Sequence, residues 1–355
     1  MGKKLINIDV IVPVYNCQNY IDRCIQSLLK QKNQNNLRII LVDDGSIDNS
    51  GKLIDRYADS HQNIVSIHKA NGGLASSRNV GLKNVSGDYF TFIDPDDWVE
   101  NDYIGKVIDE LSYNRVDILM VPYIRKYNSI SFDNQFLGDK SQLFDSQKIR
   151  SFLLKRFFGL TDEQLDRPLT IDNISTAWGK FYKTDMFSKV FFSNKKEVYA
   201  EDLDFNIKCF LNARSSEYFV GTRYIYFKEN KSSIVHTYDP QMLAEYKNLY
   251  QKMYKIIDEN DLGVGYRKAL SNRIILNELA ILRNISLSNK SFLRKIENIR
   301  NVFDDKLYDE NYRQFELNKL PIKYRLFYGT AKYKIPVLML MLLNLGEKFK
   351  TIVKQ

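Results

Sequence analysis

The sequence predicts an α/β fold with a mostly parallel sheet flanked by helices, followed by a helical C-terminal region. Strand-like apolar runs alternate with helix-like segments as far as Val121, and helical spacing continues almost throughout beyond Asp239. The 355 residues are 44% hydrophobic and 27% charged, enough for a buried core and two domains. We expect domains at residues 1–238 and 239–355, with an insertion or lid at 124–170, where the pattern weakens.

The elements follow from apolar spacing. A β-branched run opens the chain as a buried strand, and the next segment has apolar residues on one helical face. The predicted strands are residues 8–16, 37–42, 64–68, 89–93, 116–121 and 218–227. The predicted helices are residues 16–31, 48–60, 72–84, 98–111, 152–158, 198–211, 242–257, 266–285 and 292–303.

Polar side chains follow three of these strands at their carboxyl ends. Tyr15 lies at the end of the first strand, Asp43 and Asp44 follow the second, and residues 94–97 follow the fourth. In open α/β sheets the ligand crevice lies outside the carboxyl ends of the strands. A solvated loop would explain any one of these groups, but the three together indicate a ligand site.

The fourth strand ends in three carboxylates, Asp94, Asp96 and Asp97, within four positions. Carboxylates so close repel one another unless they point into water or a divalent cation neutralises them. Oxygen ligands of this kind suit Mg²⁺ or Mn²⁺, especially where phosphate oxygens complete the shell. A nucleoside diphosphate would supply such oxygens, with Asn71 and Arg78 as further contacts for its ribose and phosphates.

Four motifs within the first hundred residues resemble, in order, the signatures of family 2 glycosyltransferases. They are IVPVYN at 11–16, VDDGSID at 42–48, NGGLASSRNVG at 71–81 and IDPDD at 93–97. The resemblance covers residues 5–236 and implies the GT-A fold, a Rossmann-like nucleotide-sugar domain with an Asp-x-Asp metal motif. It implies an inverting transferase that uses a UDP-sugar and Mn²⁺ or Mg²⁺.

The resemblance also implies roles for individual donor-site residues. Pro13 and Tyr15 would line the uracil pocket, and Asp43 would accept the hydrogen of uracil N3. Arg78 would hold the nucleotide through its base or phosphates, and Asp94 would contact the ribose and the metal.

Further residues would hold the metal and the diphosphate. Asp96 would be the main metal ligand, whereas Asp97 would be structural. In the family a polar segment after the next strand closes over the diphosphate, where His236 would join the metal and Lys231 and Ser233 would contact phosphate. A surface or helix-capping histidine is the alternative for His236.

Transfer to a hydroxyl in one displacement requires a base. Asp202 is the expected base, because Glu201 and Asp202 match the family's Glu-Asp pair, and Glu201 would lie nearer the acceptor. Asp204 is the alternative. The three carboxylates also have a structural explanation, because negative charges at a helix N-terminus interact favourably with the macrodipole. Trp178 and Lys180 resemble an acceptor-side Trp-x-Lys run, with helix packing as the alternative for Trp178.

Basic residues are concentrated at the end of the chain. The net charge is +9, and from Lys319 onward eight basic residues accompany one acidic residue, Glu347. Residues 335–345 are apolar on every side but too short to span a bilayer. Flanking lysines favour an in-plane membrane anchor, and a buried helix of a C-terminal bundle is the alternative. Nucleic acid is disfavoured as a partner, because the charge does not lie on an aromatic platform.

Composition and chain start indicate the compartment. Three cysteines without CxxC spacing argue against a disulfide frame or zinc site and fit a reducing cytosol. The start of the chain has no secretory apolar region. We therefore expect a cytoplasmic protein, peripheral at the inner face of the cell membrane, with homo-oligomerisation through the C-terminal helices left open.

The expected acceptor is a lipid-linked or polysaccharide glycan in cell-surface synthesis. A protein or a teichoic-acid-like polymer is the alternative within enzymes. A non-catalytic nucleotide-sugar-binding scaffold is the alternative of a different class. The intact carboxylates at 94–97 and Asp202 argue against the scaffold.

Overall fold

The computed structural model describes residues 6–194, 197–229 and 238–353, with side chains as far as residue 346. The chain divides into two compact units. The α/β unit comprises Met1–Leu154 and Ser175–Lys231, and the helical unit comprises Lys155–Ile174 and Ser232–Gln355. The segment expected as an insertion at 124–170 is thus shared between the two units.

Two sheets form the centre of the α/β unit. In chain order the strands are β1 (Ile8–Val14), β2 (Leu37–Asp43), β3 (Ile64–His68), β4 (Tyr89–Phe92), β5 (Trp98–Val99), β6 (Ile118–Met120), β7 (Tyr123–Lys126), β8 (Ser131–Asn134), β9 (Gln142–Asp145), β10 (Lys180–Lys183), β11 (Ser215–Tyr218) and β12 (Tyr224–Phe227). The larger sheet has the order β3-β2-β1-β4-β10-β6-β11-β9. Its first four strands are parallel, and β10 runs antiparallel to both β4 and β6.

Helices flank the sheet and build the second unit. In chain order they are α1 (Ile21–Leu29), α2 (Ser50–Ser60), α3 (Leu74–Leu82), α4 (Tyr103–Asn114), α5 (Ser146–Lys148), α6 (Lys155–Phe158), α7 (Thr184–Phe187), α8 (Glu201–Asn212), α9 (Met242–Glu259), α10 (Val264–Leu287), α11 (Phe292–Phe303), α12 (Lys306–Tyr312), α13 (Ile322–Lys332) and α14 (Pro336–Val353). The predicted one-sided face of α1 is confirmed, because Ile21, Cys24, Ile25 and Leu28 are all buried. The helical spacing of its apolar residues therefore predicted which face of α1 is buried.

The smaller sheet, ordered β5-β12-β7-β8, corrects two sequence-based predictions. Residues 218–227 are two strands in different sheets, because Glu100 accepts hydrogen bonds from Thr222 Oγ1 and the Arg223 N–H and fixes a turn between them. Trp98 does not begin a helix but pairs with Ile225 in β12, and α4 begins at Tyr103. Short strands like β5 leave little periodic signal in sequence.

The helical unit is organised around α10. Its Asn272 donates to the carbonyl of Leu160 (2.8 Å), and its buried Arg273 pairs with Asp172 (2.7 Å). Both contacts attach residues 155–174 to this helix. The buried residues of α9 and α11 recur at helical spacing, as the sequence predicted, whereas in α10 every residue from 269 to 278 is buried.

The last helix, α14, is only half-buried. Met339, Leu340 and Leu343 lie in the core of the helical unit, whereas Val337 and Met341 are exposed. Within the described part of the chain, no helix combines the length and the apolarity needed to cross a membrane. The apolar character of α14 thus divides into a packed face and an exposed face.

Candidate active site

Hydrogen bonds join the loops that follow β1 and β2. Asn16 adopts the left-handed region (φ 47°), which asparagine tolerates better than most residues. Its N–H donates to Ser46 Oγ (3.1 Å), and its Oδ1 accepts from the Ile47 N–H (2.9 Å). Beside this junction Tyr15 is 49% exposed and presents a ring for stacking, whereas Pro13 is buried in the strand.

Asp43, at the end of β2, is held from two sides. Its Oδ1 accepts the Ser46 N–H (3.0 Å), and its Oδ2 lies 3.1 Å from His68 Nδ1. The other ring nitrogen of His68 lies 2.8 Å from Asp55 Oδ1. Hydrogen bonds raise the pKa of His68, the one to Asp55 more than the one to Asp43, although burial partly opposes this shift. The chain Asp55–His68–Asp43 fixes the carboxylate that the resemblance assigns to the nucleobase.

Asp44 shapes the glycine turn that precedes α3. Its Oδ2 accepts the Gly73 N–H (2.7 Å), and its Oδ1 accepts the Gly72 N–H (2.9 Å) and pairs with Lys69. Gly73 has φ 85° and ψ 170°, a conformation essentially limited to glycine. Asn71 stands exposed at the start of this turn. Asp44 therefore positions the helix that bears Arg78, a role that its place in the motif did not reveal.

Arg78 connects the two halves of the candidate site. Its side chain is 1% exposed; one terminal nitrogen pairs with Asp94 Oδ1 (2.9 Å) and the other with Asp202 Oδ1. Burial alone would lower the pKa of Arg78, but the carboxylates of Asp202, Asp94 and Glu201 outweigh it and raise the pKa. The guanidinium thus bridges the end of β4 and the start of α8, which are far apart in sequence.

The carboxylates after β4 differ in their surroundings. Asp97 is fully buried and accepts hydrogen bonds from the Tyr224 hydroxyl (2.6 Å) and the Phe227 N–H (2.8 Å). Asp94 and Asp96 are half-buried. Burial raises the pKa of Asp94 to about 6 and that of Asp97 well above its ordinary value, although Arg78 opposes the shift at Asp94. Asp97 is thus occupied in joining this loop to β12.

Asp202 lies in the first turn of α8. Ala200, the residue before the helix, is left-handed (φ 60°), a strained conformation for alanine of the sort found at functional sites. Asp202 Oδ2 accepts the Ala177 N–H (2.9 Å). Asn206, one turn along, donates to the carbonyls of Asp202 (2.8 Å) and Ser175 (3.0 Å). These bonds hold the segment before β10 against the carboxylate.

The other carboxylates of α8 occupy different environments. Asp204 is buried, accepts from Ser193 Oγ (2.7 Å) and pairs with Lys208 (2.6 Å). Glu201 is half-buried. Asp204 is therefore engaged in fixing α8, and Asp202 is the carboxylate of this turn that reaches Arg78.

Trp178 and Lys180, expected on the acceptor side, are both buried. The Trp178 ring stacks on Tyr224 with centroids 4.4 Å apart. Lys180 Nζ donates to the carbonyl of Thr176, and burial lowers the pKa of Lys180 to about 7 although Asp202 opposes the shift. In this conformation neither side chain offers a surface to an acceptor, and both pack the segment beneath Asp202.

The fit of a divalent cation rests on few residues. Lys231, Ser233 and His236 lie outside the described residues. Among the described residues, no group of three or more histidine, cysteine, aspartate or glutamate side chains could hold a metal ion. Asp94 and Asp96 offer hard oxygen atoms, so the protein would hold Mg²⁺ or Mn²⁺ only together with oxygens of a bound substrate.

Comparisons by sequence find glycosyltransferases. The profile of glycosyl transferase family 2 matches residues 9–186, half of the chain. Glycosyltransferase EpsJ of Bacillus subtilis is 27% identical over 353 residues, 98% of either chain. Glycosyltransferase GlyA of Streptococcus pneumoniae is 32% identical over 232 residues, which are 62% of this chain but 30% of GlyA. The minor teichoic acid biosynthesis protein GgaB of B. subtilis is 38% identical over 128 residues, 34% of this chain and 14% of GgaB.

Solved structures share the fold. S. aureus TarS 1–349 in complex with UDP-GlcNAc has a TM-score of 0.65 at 18% identity, covering 96% of this chain and 92% of TarS 1–349. The mannosyltransferase PcManGT of Pyrobaculum calidifontis, in complex with GDP-Man and Mn²⁺, has a TM-score of 0.50 at 15% identity, covering 96% and 85%. The expected fold class is confirmed. The chain belongs to glycosyl transferase family 2 and is a glycosyltransferase with a GT-A fold and a C-terminal helical region.

Proposed function

We propose that the chain is an inverting, metal-dependent transferase that moves a sugar from a UDP-sugar to a hydroxyl of a lipid-linked or polysaccharide acceptor. One observation carries the proposal: Arg78 pairs with Asp94 at the end of β4 and with Asp202 at the start of α8. The guanidinium of Arg78 thereby fixes two carboxylates, one on the donor side and one able to take a proton. That arrangement suits a single-displacement transfer.

Asp202 is the proposed base. Each of its oxygens accepts one hydrogen bond, from Arg78 and from the Ala177 N–H, and a carboxylate offers about four acceptor positions. An acceptor hydroxyl can therefore still donate to it. The hydroxyl oxygen attacks the anomeric carbon while the bond from that carbon to the diphosphate oxygen breaks. The proton passes to Asp202, UDP leaves, and the anomeric centre is inverted.

The donor would lie across the carboxyl ends of β1, β2 and β4. Tyr15 would stack on the uracil with Pro13 behind it, Asp43 would accept from N3, and Asn71 would contact the ribose or phosphates. The geometry favours a positioning role for Arg78, since both terminal nitrogens of its guanidinium are paired with carboxylates. The UDP-GlcNAc bound by a protein of the same fold, TarS 1–349, supports a UDP-sugar as donor.

Asp94 and Asp96 would hold Mn²⁺ or Mg²⁺ together with the diphosphate. The cation would neutralise charge on the leaving UDP. The Mn²⁺ bound with GDP-Man by PcManGT supports a divalent cation. On the resemblance alone, His236 would complete the metal site, and Lys231 and Ser233 would contact the phosphates.

The acceptor side is proposed from Asp202 and its neighbour Glu201, which is half-buried at the start of α8. A lipid-linked acceptor would place the enzyme at the inner face of the cell membrane. The likeness to GgaB favours a teichoic-acid-like polymer as a second candidate acceptor.

A donor screen tests the proposal. Purified protein is incubated with UDP-, GDP- and TDP-sugars, with and without Mn²⁺, and nucleotide release is measured. We expect release from a UDP-sugar that depends on the cation and is lost with chelator. Release from GDP-sugars alone, or release that is indifferent to the cation, would contradict the proposed donor or the proposed metal dependence.

A further inference from the structure

The helical unit exposes a stripe of apolar side chains on α13. Ile322, Leu326 and Tyr333 are 82, 58 and 74% exposed. They recur at intervals of four and seven residues, so they lie on one face of the helix, with Tyr333 at its C-cap. The core-facing residues Tyr328 and Ala331 lie on other faces. Single exposed apolar residues are ordinary, but an aligned series requires an explanation.

The neighbouring helix α14 repeats the pattern. Val337, Leu338, Met341 and Leu345 are exposed at helical spacing, opposite the buried Met339, Leu340 and Leu343. The helices α13 and α14 pack against each other. The exposed apolar residues of both helices form what we term the α13–α14 face, comprising Ile322, Leu326, Tyr333, Val337, Leu338, Met341 and Leu345.

Charge beside this face has one sign. No acidic residue occurs between Glu316 and Glu347, while five basic residues do. Lys319 pairs with Glu316, and Lys334 pairs with Asp304 and Asp309.

The remaining three basic residues are available to a partner. Among the described residues, no carboxylate pairs with Lys323, Arg325 or Lys332, and all three are exposed. Helical spacing places Lys323 on one side of the α13 stripe and Arg325 and Lys332 on the other. An apolar stripe bordered by unpaired cations is complementary to a surface that is apolar beneath an anionic layer.

We infer that the α13–α14 face docks on an anionic lipid bilayer, with its apolar side chains at the level of the acyl chains and its cations among the headgroups. This deepens the proposed function, because it brings the enzyme to the surface where a lipid-linked acceptor lies. No helix needs to span the bilayer for this contact. The inference rests on the helical unit alone and does not depend on the sugar donor.

Vesicle flotation tests the docking. The full chain is mixed with vesicles of phosphatidylcholine alone or of phosphatidylcholine with the anionic lipid phosphatidylglycerol, and the floated fraction is measured. We expect flotation with the anionic vesicles, weaker at high salt because the charges are screened. The double variant L326D/M341D should lower the partition coefficient at least about tenfold, because it places two charges in the apolar layer.

Matched variants separate docking from misfolding. Leu293→Asp introduces the same charge at a 77% exposed leucine of α11 in the same unit and should float like the unchanged chain. Lys323→Gln and Lys332→Gln should each weaken anionic binding about fivefold, whereas Lys306→Gln on α12 should not.

Three results would overturn the inference. The first is equal flotation of L326D/M341D and the unchanged chain. The second is a loss of flotation in Leu293→Asp as large as that in L326D/M341D. The third is a dimer in solution that L326D/M341D dissociates, while vesicles bind neither the unchanged chain nor the double variant. UDP binding and transfer to a soluble acceptor are measured on the same preparations. Failure of the donor proposal would appear there and leave the flotation result standing.

Discussion

Hydrogen-bond partners decide what each carboxylate of the site can do. Asp97 and Asp204 are buried and tied to protein donors, whereas Asp202 is half-buried and reaches Arg78. The motifs predicted that the carboxylates of Asp43, Asp44 and residues 94–97 would gather at one sheet edge. They could not predict which carboxylates are occupied by hydrogen bonds within the protein, because the donors to Asp97 come from Tyr224 and Phe227 on a strand more than a hundred residues later.

His68 supplies the first prediction. Its contact with Asp43 Oδ2 should orient the carboxylate toward uracil N3, and the bond to Asp55 should hold the imidazole in place. We expect His68→Ala to weaken UDP binding roughly threefold to tenfold, since His68 acts on UDP only through Asp43 and a typical hydrogen bond contributes about 1 kcal/mol. Titration calorimetry with UDP measures the change.

N3-methyl-UDP, which lacks the N3 hydrogen, is the discriminating ligand, and His61→Ala is the control variant. The Nδ1 atom of the His61 ring lies 3.1 Å from the backbone carbonyl oxygen of Tyr57, away from Asp43. Affinity for N3-methyl-UDP should hardly respond to His68→Ala. An equal loss for both ligands would show that the histidine supports the loop and not the nucleobase contact.

At the scale of elements, long periodic segments could be predicted and short ones could not. The helix α1 was evident from its buried face, and β1 and β2 from their apolar runs. The strand β5 and the break between β11 and β12 escaped, because strands of two to four residues leave no period to read. For Trp178 the sequence left acceptor binding and packing as alternatives, because its burial depends on Tyr224, which is distant in the chain. The burial of Lys180 was not expected.

The turn before α3 gives an element-scale prediction. Gly73→Ala meets no atom within 4 Å, so its cost is the backbone conformation alone, about 1–3 kcal/mol. We expect a lower denaturant midpoint and weaker UDP binding, because α3 holds Arg78. Gly265→Ala is the matched control, as it also has open space and lacks a positive φ. It should leave stability equal or slightly higher, and equal destabilisation by both would refute the strain argument.

At the scale of the whole molecule, the helical unit makes stability depend on pH. The helical unit contains a fully buried acid, Glu278 on α10, which accepts from the Tyr312 hydroxyl and lies near Tyr308 and Tyr328. Burial raises the pKa of Glu278 to about 8, against an ordinary value of 4.5, and the hydrogen bond from Tyr312 lowers it only partly. At neutral pH the folded unit therefore holds this carboxyl protonated.

This shift sets the sign of a pH dependence. Between pH 4.5 and about 8 the folded state binds the proton and the unfolded state does not, so stability falls as pH rises through this window. Between pH 5.5 and 8 we expect the thermal midpoint of the unchanged chain to drop by several °C more than that of Glu278→Gln. The corresponding change in the free energy of unfolding is of order a few kcal/mol over the pKa shift. Glu297→Gln, at an exposed position of α11, should follow the unchanged chain. Parallel curves for Glu278→Gln and the unchanged chain would contradict the assignment.

The central claim is that the carboxylate bridged to Asp94 through Arg78 removes the acceptor proton. Asp202→Asn keeps the shape of the side chain and its bond from the Ala177 N–H but cannot take up a proton. The direct measurement compares UDP affinity and the rate of sugar transfer for Asp202→Asn, with Asp204→Asn as control. We predict UDP affinity within about threefold of the unchanged chain and transfer lower by 10²-fold or more, as is typical for loss of a general base. Transfer retained in Asp202→Asn, or lost equally in Asp204→Asn, would contradict the account.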